Sequence, residues 1–234
     1  IAIQSPKNLE WFNSVYNRAG KKNTLLLYNW AKKNMILPDG AFRKKYNIEN
    51  KVIYFYGGNL GVAQDMMNIV RLAERMKSES NAFFVLIGDG DEEELIQNAI
   101  IEKKLDNMLL LPAVDQDTFK KILAEADIGL FTLAKHHVTH NFPGKLLGYM
   151  TQGIPILGSV NPGNDLKETV EHYKAGYISI NGEDEIFYNN AIAMLNNLSL
   201  RTEMGKNSVK MLDELFTVES AADKILNEYK RIKK

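Results

Sequence analysis

Six short apolar runs recur along the chain between residues 51 and 182, and stretches with helical spacing separate them. Several runs are continuous rather than alternating, which is typical of strands that are covered on both faces. Strands that alternate with helices favour a parallel sheet with right-handed crossovers. We therefore predict an α/β fold with a doubly wound, Rossmann-like parallel sheet, whose strands lie at Val52–Tyr56, Ala82–Ile87, Met108–Pro112, Ile128–Leu133, Pro155–Ser159 and Tyr177–Ile180.

The stretches between these runs carry the signals of helix starts. Asp65, the acidic run Asp91–Glu94 and the pair Asp115 and Asp117 each stand where a first helical turn is expected. Acidic side chains there suit the positive end of the helix dipole. The clearest helix has one apolar stripe, formed by Val62, Met66, Ile69, Val70, Ala73 and Met76.

Composition excludes several classes of protein. The 234 residues contain no cysteine, so a disulfide framework, a thiolate metal site and a cysteine nucleophile are ruled out. The formal charge is zero, which gives no global case for binding nucleic acid. No apolar run approaches the roughly 20 residues that cross a bilayer, and no signal peptide is visible. We expect a soluble, cytoplasmic protein.

Basic residues are concentrated at the two ends of the chain. Residues 1–51 hold ten lysines and arginines against three acidic residues, and the last helix ends with Lys230, Arg231, Lys233 and Lys234. The basic residues of that helix suit the negative end of its dipole. They also fit a peripheral contact with an anionic membrane surface, and both interpretations stay open.

Glycine-bearing loops follow the first two strands of the predicted sheet, where open parallel sheets bind ligands. The loop Gly57–Gly61 lets the backbone approach a ligand, and a helix start after it would offer free N–H groups to an anion. It does not match the G-x-G-x-x-G pattern of dinucleotide sites, and a plain tight turn is the alternative. In the loop Gly88–Gly90, Asp89 is also a candidate helix cap.

The richest segment is HNFPGKLLGYMTQGIPILGS, which starts at His140. Pro143 and Gly144 precede a short helix that carries Lys145 in its first turn, where a cation opposes the helix dipole. A bound anion would explain this position, because the ammonium and the free N–H groups would both point at it. A solvated surface lysine is the alternative. His136, His137 and His140 lack a partner segment with further ligands, so we expect no metal site.

In order along the chain, GGNLG, VLIGDG, the LPAV of Leu111–Val114, FPGKLLGYMTQGIPIL and the turn Asn181–Asp184 resemble glycosyltransferase family 4. Bacterial surface-polysaccharide enzymes such as the L-fucosamine transferases of O-antigen synthesis are closest in pattern. The resemblance implies the C-terminal, donor-binding half of a GT-B fold. It implies that residues 1–50 are the tail of an acceptor domain plus a connector, that 51–216 bind the nucleotide sugar, and that the helix at 217–234 crosses back.

The resemblance also implies roles for individual residues. Gly58, Asn59 and Gly61 would lie by the donor diphosphate, Gly88 and Asp89 would line the nucleotide pocket, and the backbone of Ala113 and Val114 would meet the base. Lys145 would contact phosphate, with Leu146 and Leu147 near the ribose.

The chain departs from the family at several positions. Asn59 and Gln64 stand where many relatives carry Arg and Lys, and His140 and Gly148 stand where the family has two glutamates. Loss of the second carboxylate removes one or two charge-assisted hydrogen bonds of roughly 1.5–3 kcal/mol each, a roughly tenfold to hundredfold weaker site.

The expected activity is transfer of a sugar from a nucleotide-diphosphate sugar, by resemblance UDP-linked, with retention and without a metal or other cofactor. The acceptor would be a saccharide or lipid-linked saccharide bound by the missing half, so the isolated chain should be inactive. Two alternatives stay open: a non-catalytic module that binds a nucleotide or a partner, and a sugar-nucleotide epimerase.

Overall fold

A six-stranded parallel sheet forms the centre of the molecule. The computed structural model describes residues 1–20, 22–138 and 142–233. All six apolar runs are strands, so the predicted α/β parallel sheet is confirmed. A further two short strands lie near the start of the chain. The strands are β1 (Ala2–Ile3), β2 (Leu25–Leu26), β3 (Val52–Gly57), β4 (Ala82–Ile87), β5 (Met108–Leu111), β6 (Ile128–Thr132), β7 (Ile156–Val160) and β8 (Gly176–Ile180).

Helices connect the strands and cover both faces of the sheet. They are α1 (Pro6–Val15), α2 (Ala41–Tyr46), α3 (Met66–Arg75), α4 (Glu93–Glu102), α5 (Gln116–Ala124), α6 (Gly144–Thr151), α7 (Asp165–Tyr173), α8 (Asp184–Asn196), α9 (Leu198–Leu215) and α10 (Val218–Ile232). Side chains of β3 alternate between two cores. Ile53 and Phe55 pack with α5, α6, α7 and α9, whereas Tyr54 and Tyr56 pack with α3, α4 and α8.

The order of the strands places a crevice in the middle of the sheet. The strand order is β5-β4-β3-β6-β7-β8. The chain therefore runs outward from β3 to β5 and then crosses over to β6, which pairs with the other edge of β3. Loops after β3 and β6 therefore diverge at the carboxyl edge. Ligands of open α/β sheets bind at this kind of switch point.

The start of α3 differs from the sequence prediction. A 3-10 turn spans Val62–Gln64, and the α-helix begins only at Met66. Val62 is exposed and does not belong to the apolar stripe. Asp65 precedes the helix in a left-handed conformation (φ 49°), and its carboxylate accepts a hydrogen bond from Asn181 Nδ2 (2.9 Å) instead of capping the helix. The Glu92 carboxylate, rather than that of Asp65, accepts a hydrogen bond from the Met66 N–H (3.1 Å) at the start of the helix.

The first fifty residues are tied to the sheet domain by buried carboxylates. Asp165 Oδ2 accepts from the Ser5 hydroxyl (2.8 Å) and from the Lys7 N–H (2.9 Å), so α7 holds the first turn of α1. Glu125 accepts from the N–H groups of Phe42 (3.0 Å) and Arg43 (2.9 Å) at the start of α2. Beside α1, strands β1 and β2 pair in parallel.

Candidate functional site

A cavity of about 260 Å³ opens at the carboxyl ends of β3, β4 and β5. Six of the residues singled out in the sequence line it, which brings together three loops that are far apart in the chain. The lining is formed by Gly58, Asn59, Ile87, Gly88, Asp89, Ala113, Val114, Gln116 and Phe119. Larger cavities of about 320 and 390 Å³ lie elsewhere and include none of the predicted residues.

The floor of this cavity is main chain rather than side chain. The Gly58 N–H donates to the Ile87 carbonyl oxygen (2.9 Å), and the Leu60 N–H donates to that of Asp89 (2.8 Å). A Cβ atom on Gly88 would lie 1.8 Å from the Gly58 oxygen, and Gly58 itself has φ +129°. Both positions require glycine: a side chain at Gly88 would force the two loops apart, and the φ of Gly58 is one that residues with a side chain rarely adopt.

Lys145 lies next to this floor. It occupies the first turn of α6, as predicted, and its Nζ would be 3.7 Å from a Cβ atom placed on Gly58. The Nζ atom is buried and has no hydrogen-bond partner among the residues that the structure describes. It stands 3.6 Å from the centre of the Tyr56 ring. Burial lowers the pKa of Lys145 to about 7.

An amine in this position is costly unless an anion joins it. The aromatic face of Tyr56 gives a partial electrostatic partner, worth about 2 kcal/mol when desolvated. That does not replace the hydrogen bonds a buried ammonium loses on leaving water. Its three N–H donors match a phosphate group. The arrangement is therefore suited to an anionic ligand.

The remaining predicted residues have other surroundings. Gly61 is the last residue of the loop after β3. A Cβ atom on Gly61 would lie 2.9 Å from the side-chain amide of Asn59. Leu146 is buried and Leu147 is partly buried in the core, so their side chains are not in the wall of the cavity. A Cβ atom on Gly148 would approach Leu123 at 3.2 Å. His140, the position of a family glutamate, lies outside the described residues.

Sequence reasoning missed the aromatic residues of the site. The Tyr56 hydroxyl donates to the Asn59 carbonyl oxygen (2.7 Å), so its ring faces Lys145 while its oxygen holds the glycine loop. Phe119 of α5 lines the cavity. Its ring packs directly against Gly57 and occupies the space that a side chain at that position would need. In the sequence, both resemble ordinary core residues of a strand and a helix. The alternation along β3 is the one signal that could have separated Tyr56 from Phe55.

The described residues offer neither a metal centre nor a membrane span. In residues 1–20, 22–138 and 142–233, no group of three or more His, Asp or Glu side chains is close enough to hold a metal ion. Within the same ranges, no helix combines the length and the apolar character that a bilayer span needs.

The same fold occurs in solved GT-B glycosyltransferases. Anabaena Alr3699/HepE, solved in complex with UDP, has a TM-score of 0.80 and 15% identity, and the match covers 98% of this chain and 63% of that chain. WaaG, a glycosyltransferase involved in lipopolysaccharide biosynthesis, has a TM-score of 0.75 and 13% identity, covering 97% and 61%. The protein therefore has the fold of one half of a GT-B glycosyltransferase.

The family follows from the sequence comparison. Residues 39–211 match the model of the glycosyl transferases group 1, and the chain belongs to this family. N-acetyl-alpha-D-glucosaminyl L-malate synthase of Bacillus anthracis is 28% identical over 195 residues, which cover 81% of this chain and 47% of the synthase. The chain thus spans about half the length of that relative.

Proposed function

We propose that this chain is the donor-binding half of a glycosyltransferase that takes a sugar from a UDP-sugar and transfers it with retention. The observation that carries the proposal is the buried amine of Lys145, which has no hydrogen-bond partner among the described residues and lies beside a glycine-floored cavity at the carboxyl edge of the sheet. Group 1 family membership supports the transferase class. The complex of HepE with UDP supports the nucleotide.

In this proposal the diphosphate lies against Gly58, Asn59 and Gly61, within reach of Lys145. The base enters the cavity along the backbone of Ala113 and Val114. Negative charge builds up on the leaving diphosphate during transfer, and the ammonium with the N–H groups of the loop and of α6 stabilises it. No divalent cation is needed in this scheme, so transfer is metal-independent.

The other half of the active site belongs to an acceptor domain. Two paired parallel strands are too few to form a stable sheet by themselves, so β1 and β2 are expected to continue a second sheet. We assign residues 1–50 to the tail of that domain and the connector, 51–216 to the donor domain, and 217–234 to a helix that crosses back. The acceptor domain would bind a saccharide or a lipid-linked saccharide.

The proposal extends to the pathway and the cellular location in which the enzyme works. The similarity to WaaG, which is involved in lipopolysaccharide biosynthesis, supports a role in bacterial surface polysaccharides. Such an enzyme would work in the cytoplasm at the inner face of the membrane. Lys230, Arg231 and Lys233 at the exposed end of α10 would supply a peripheral contact with anionic lipid.

A second function is favoured by one observation, the glycine at position 148. Without a carboxylate there the ribose has one binding group fewer, which fits a module that no longer turns over a donor and docks a partner chain instead.

Calorimetry with UDP, UDP-glucose, UDP-N-acetylglucosamine and GDP-mannose separates the two functions. We expect saturable binding of a uridine nucleotide that Lys145→Ala weakens by about 100-fold, since charge-assisted hydrogen bonds worth roughly 3 kcal/mol are removed. Lys135→Ala, which removes an exposed lysine at the same sheet edge, is the matched control and should bind normally. No binding to any of these nucleotides, with a stable complex to a partner chain, would establish the module.

A further inference from the structure

The described surroundings of Lys145 lack any group that would keep its amine charged in the empty site. β3 contributes the ring of Tyr56 at 3.6 Å from Nζ, and β6 contributes the ring of Phe131 at 5.8 Å. The glycine loop contributes the backbone of Gly58, which carries no charge. Among the described residues, no carboxylate forms an ion pair or a hydrogen bond with this amine.

The phenols of Tyr56 and Tyr149 stay in one state near neutral pH. Burial raises the pKa of Tyr56 and that of Tyr149, so both phenols remain neutral. Glu92 acts electrostatically on Tyr56, but its carboxylate accepts the hydrogen bond from Met66 at the start of α3. Neither phenol can take up a further proton near neutral pH, so among these described groups the amine of Lys145 is the one that can gain a charge when a ligand enters.

We propose that the donor site takes up a proton together with the diphosphate: the empty site holds Lys145 as a neutral amine, and the bound anion converts it to the ammonium. This rests on the proposed function, because it needs a diphosphate in the cavity. Burial alone lowers the pKa of Lys145 to about 7 in the empty site. A diphosphate in contact with the amine raises that pKa again, since an opposite charge within a few ångströms favours the charged form.

The sign of the pH dependence follows from this difference. Below neutral pH the amine is already protonated and the donor binds at full strength. Above neutral pH, the fraction of empty protein with a charged amine falls tenfold for each unit of pH. The apparent affinity falls with it until the pH reaches the pKa of the amine in the complex. Apparent affinity for the donor should therefore fall about 20-fold between about pH 6.5 and about pH 8.5.

UDP-glucose is the probe, because its diphosphate is esterified at both ends and has no ionisation in this range. Calorimetry on the 234-residue chain at about pH 8, in pairs of buffers with different heats of ionisation, should show uptake of about 0.9 proton per donor bound. Binding without proton uptake and with a flat pH profile would overturn this inference while leaving the proposed function in place. Failure to bind any nucleotide sugar would overturn the proposed function itself.

Three variants assign the proton to its residue. Lys145→Arg keeps a permanent charge, so it should bind with a flat pH profile and no uptake. Lys145→Met removes the titrating group and should bind weakly, again without uptake; uptake that persists in this variant would place the proton elsewhere and contradict the inference. Lys135→Ala should keep the uptake of the unaltered protein.

Discussion

At the scale of single residues, the buried amine of Lys145 makes the stability of the protein depend on pH. A folded-state pKa of about 7 lies below that of an unfolded lysine, so the unfolded chain binds more protons between these two values. Stability must then rise with pH across that window. In the proposed function, the residue that binds the diphosphate therefore lowers the stability of the protein without ligand.

Lys145→Met tests this link without any ligand. The substitution replaces a buried amine by an apolar side chain of similar length, so we expect higher stability near neutral pH. The unaltered protein should gain roughly 1 kcal/mol per pH unit relative to the variant between about pH 7 and about pH 9. Urea denaturation of both proteins at several pH values measures the difference. Equal pH slopes would show that the amine is charged and satisfied in the empty protein.

Gly148→Glu tests the missing carboxylate. A glutamate on α6 at this position would accept hydrogen bonds from the ribose hydroxyls, as the family resemblance implies. We expect UDP to bind about tenfold more tightly, the effect of roughly 1.5 kcal/mol. The new Cβ atom meets the end of the Leu123 side chain at 3.2 Å, so that buried side chain must move by a few tenths of an ångström.

Gly148→Gln is the control for that variant, since it adds the same volume without the charge and should recover less affinity. A glutamate that leaves UDP affinity unchanged in calorimetry would show that α6 presents this position away from the ribose.

At the scale of elements, the sequence predicted what depends on local pattern. The continuous apolar runs indicated the six strands because burial on both faces leaves no polar alternation to confuse the assignment. Lys145 was placed correctly because Pro143 and Gly144 mark the helix start. Features set by distant contacts were missed. Asp65 and Met66, at the actual start of α3, form hydrogen bonds with Asn181 and Glu92, which are remote in sequence.

The candidate site shows the same division. The glycine loops were visible because a close backbone approach leaves a residue-type signature. That the Lys145 amine has no partner among the described residues was not visible, because it depends on which rings of β3 and β6 surround it. Leu146 faces the core rather than the cavity for a similar reason, since its side of α6 is decided by packing against the sheet.

Asp165→Ala tests how α7 holds α1. The buried carboxylate accepts from Ser5 and from the first turn of the helix, and its loss leaves those donors unpaired at a cost of about 2–4 kcal/mol. Hydrogen exchange in α1 should accelerate in the variant. Glu168→Ala is the matched control. Glu168 also lies on α7 and forms an ion pair with Lys7 of α1, but its side chain is exposed, and exposed ion pairs contribute little to stability. Equal exchange in both variants would rule out the Asp165 contact as the anchor.

At the scale of the whole molecule, the last helix has an unpartnered face. Only Ala221 of α10 is buried, whereas Ile225, Leu226, Tyr229 and Ile232 are exposed. An apolar stripe of this kind usually packs against another part of the protein. In the proposed arrangement that part is the acceptor domain, to which α10 crosses back.

The isolated chain is therefore expected to bind a UDP-sugar but not to transfer its sugar. UDP release by the 234-residue chain should stay at background, while a longer chain that includes the acceptor domain should turn over. Hydrogen exchange in α10 should slow down in that longer chain. Robust turnover by the isolated chain would contradict the two-domain proposal.

The main-chain floor of the cavity has a consequence for engineering. Where two peptide planes touch, as at Gly58 and Gly88, there is no side chain whose replacement could retune what lies above them. At these two positions single substitutions are then a poor way to change which nucleotide the proposed site accepts, and the replaceable side chains are those of the walls, such as Gln116 and Phe119. Grafting whole loops from a homologue, keeping their backbone course, is the more promising route to a different base.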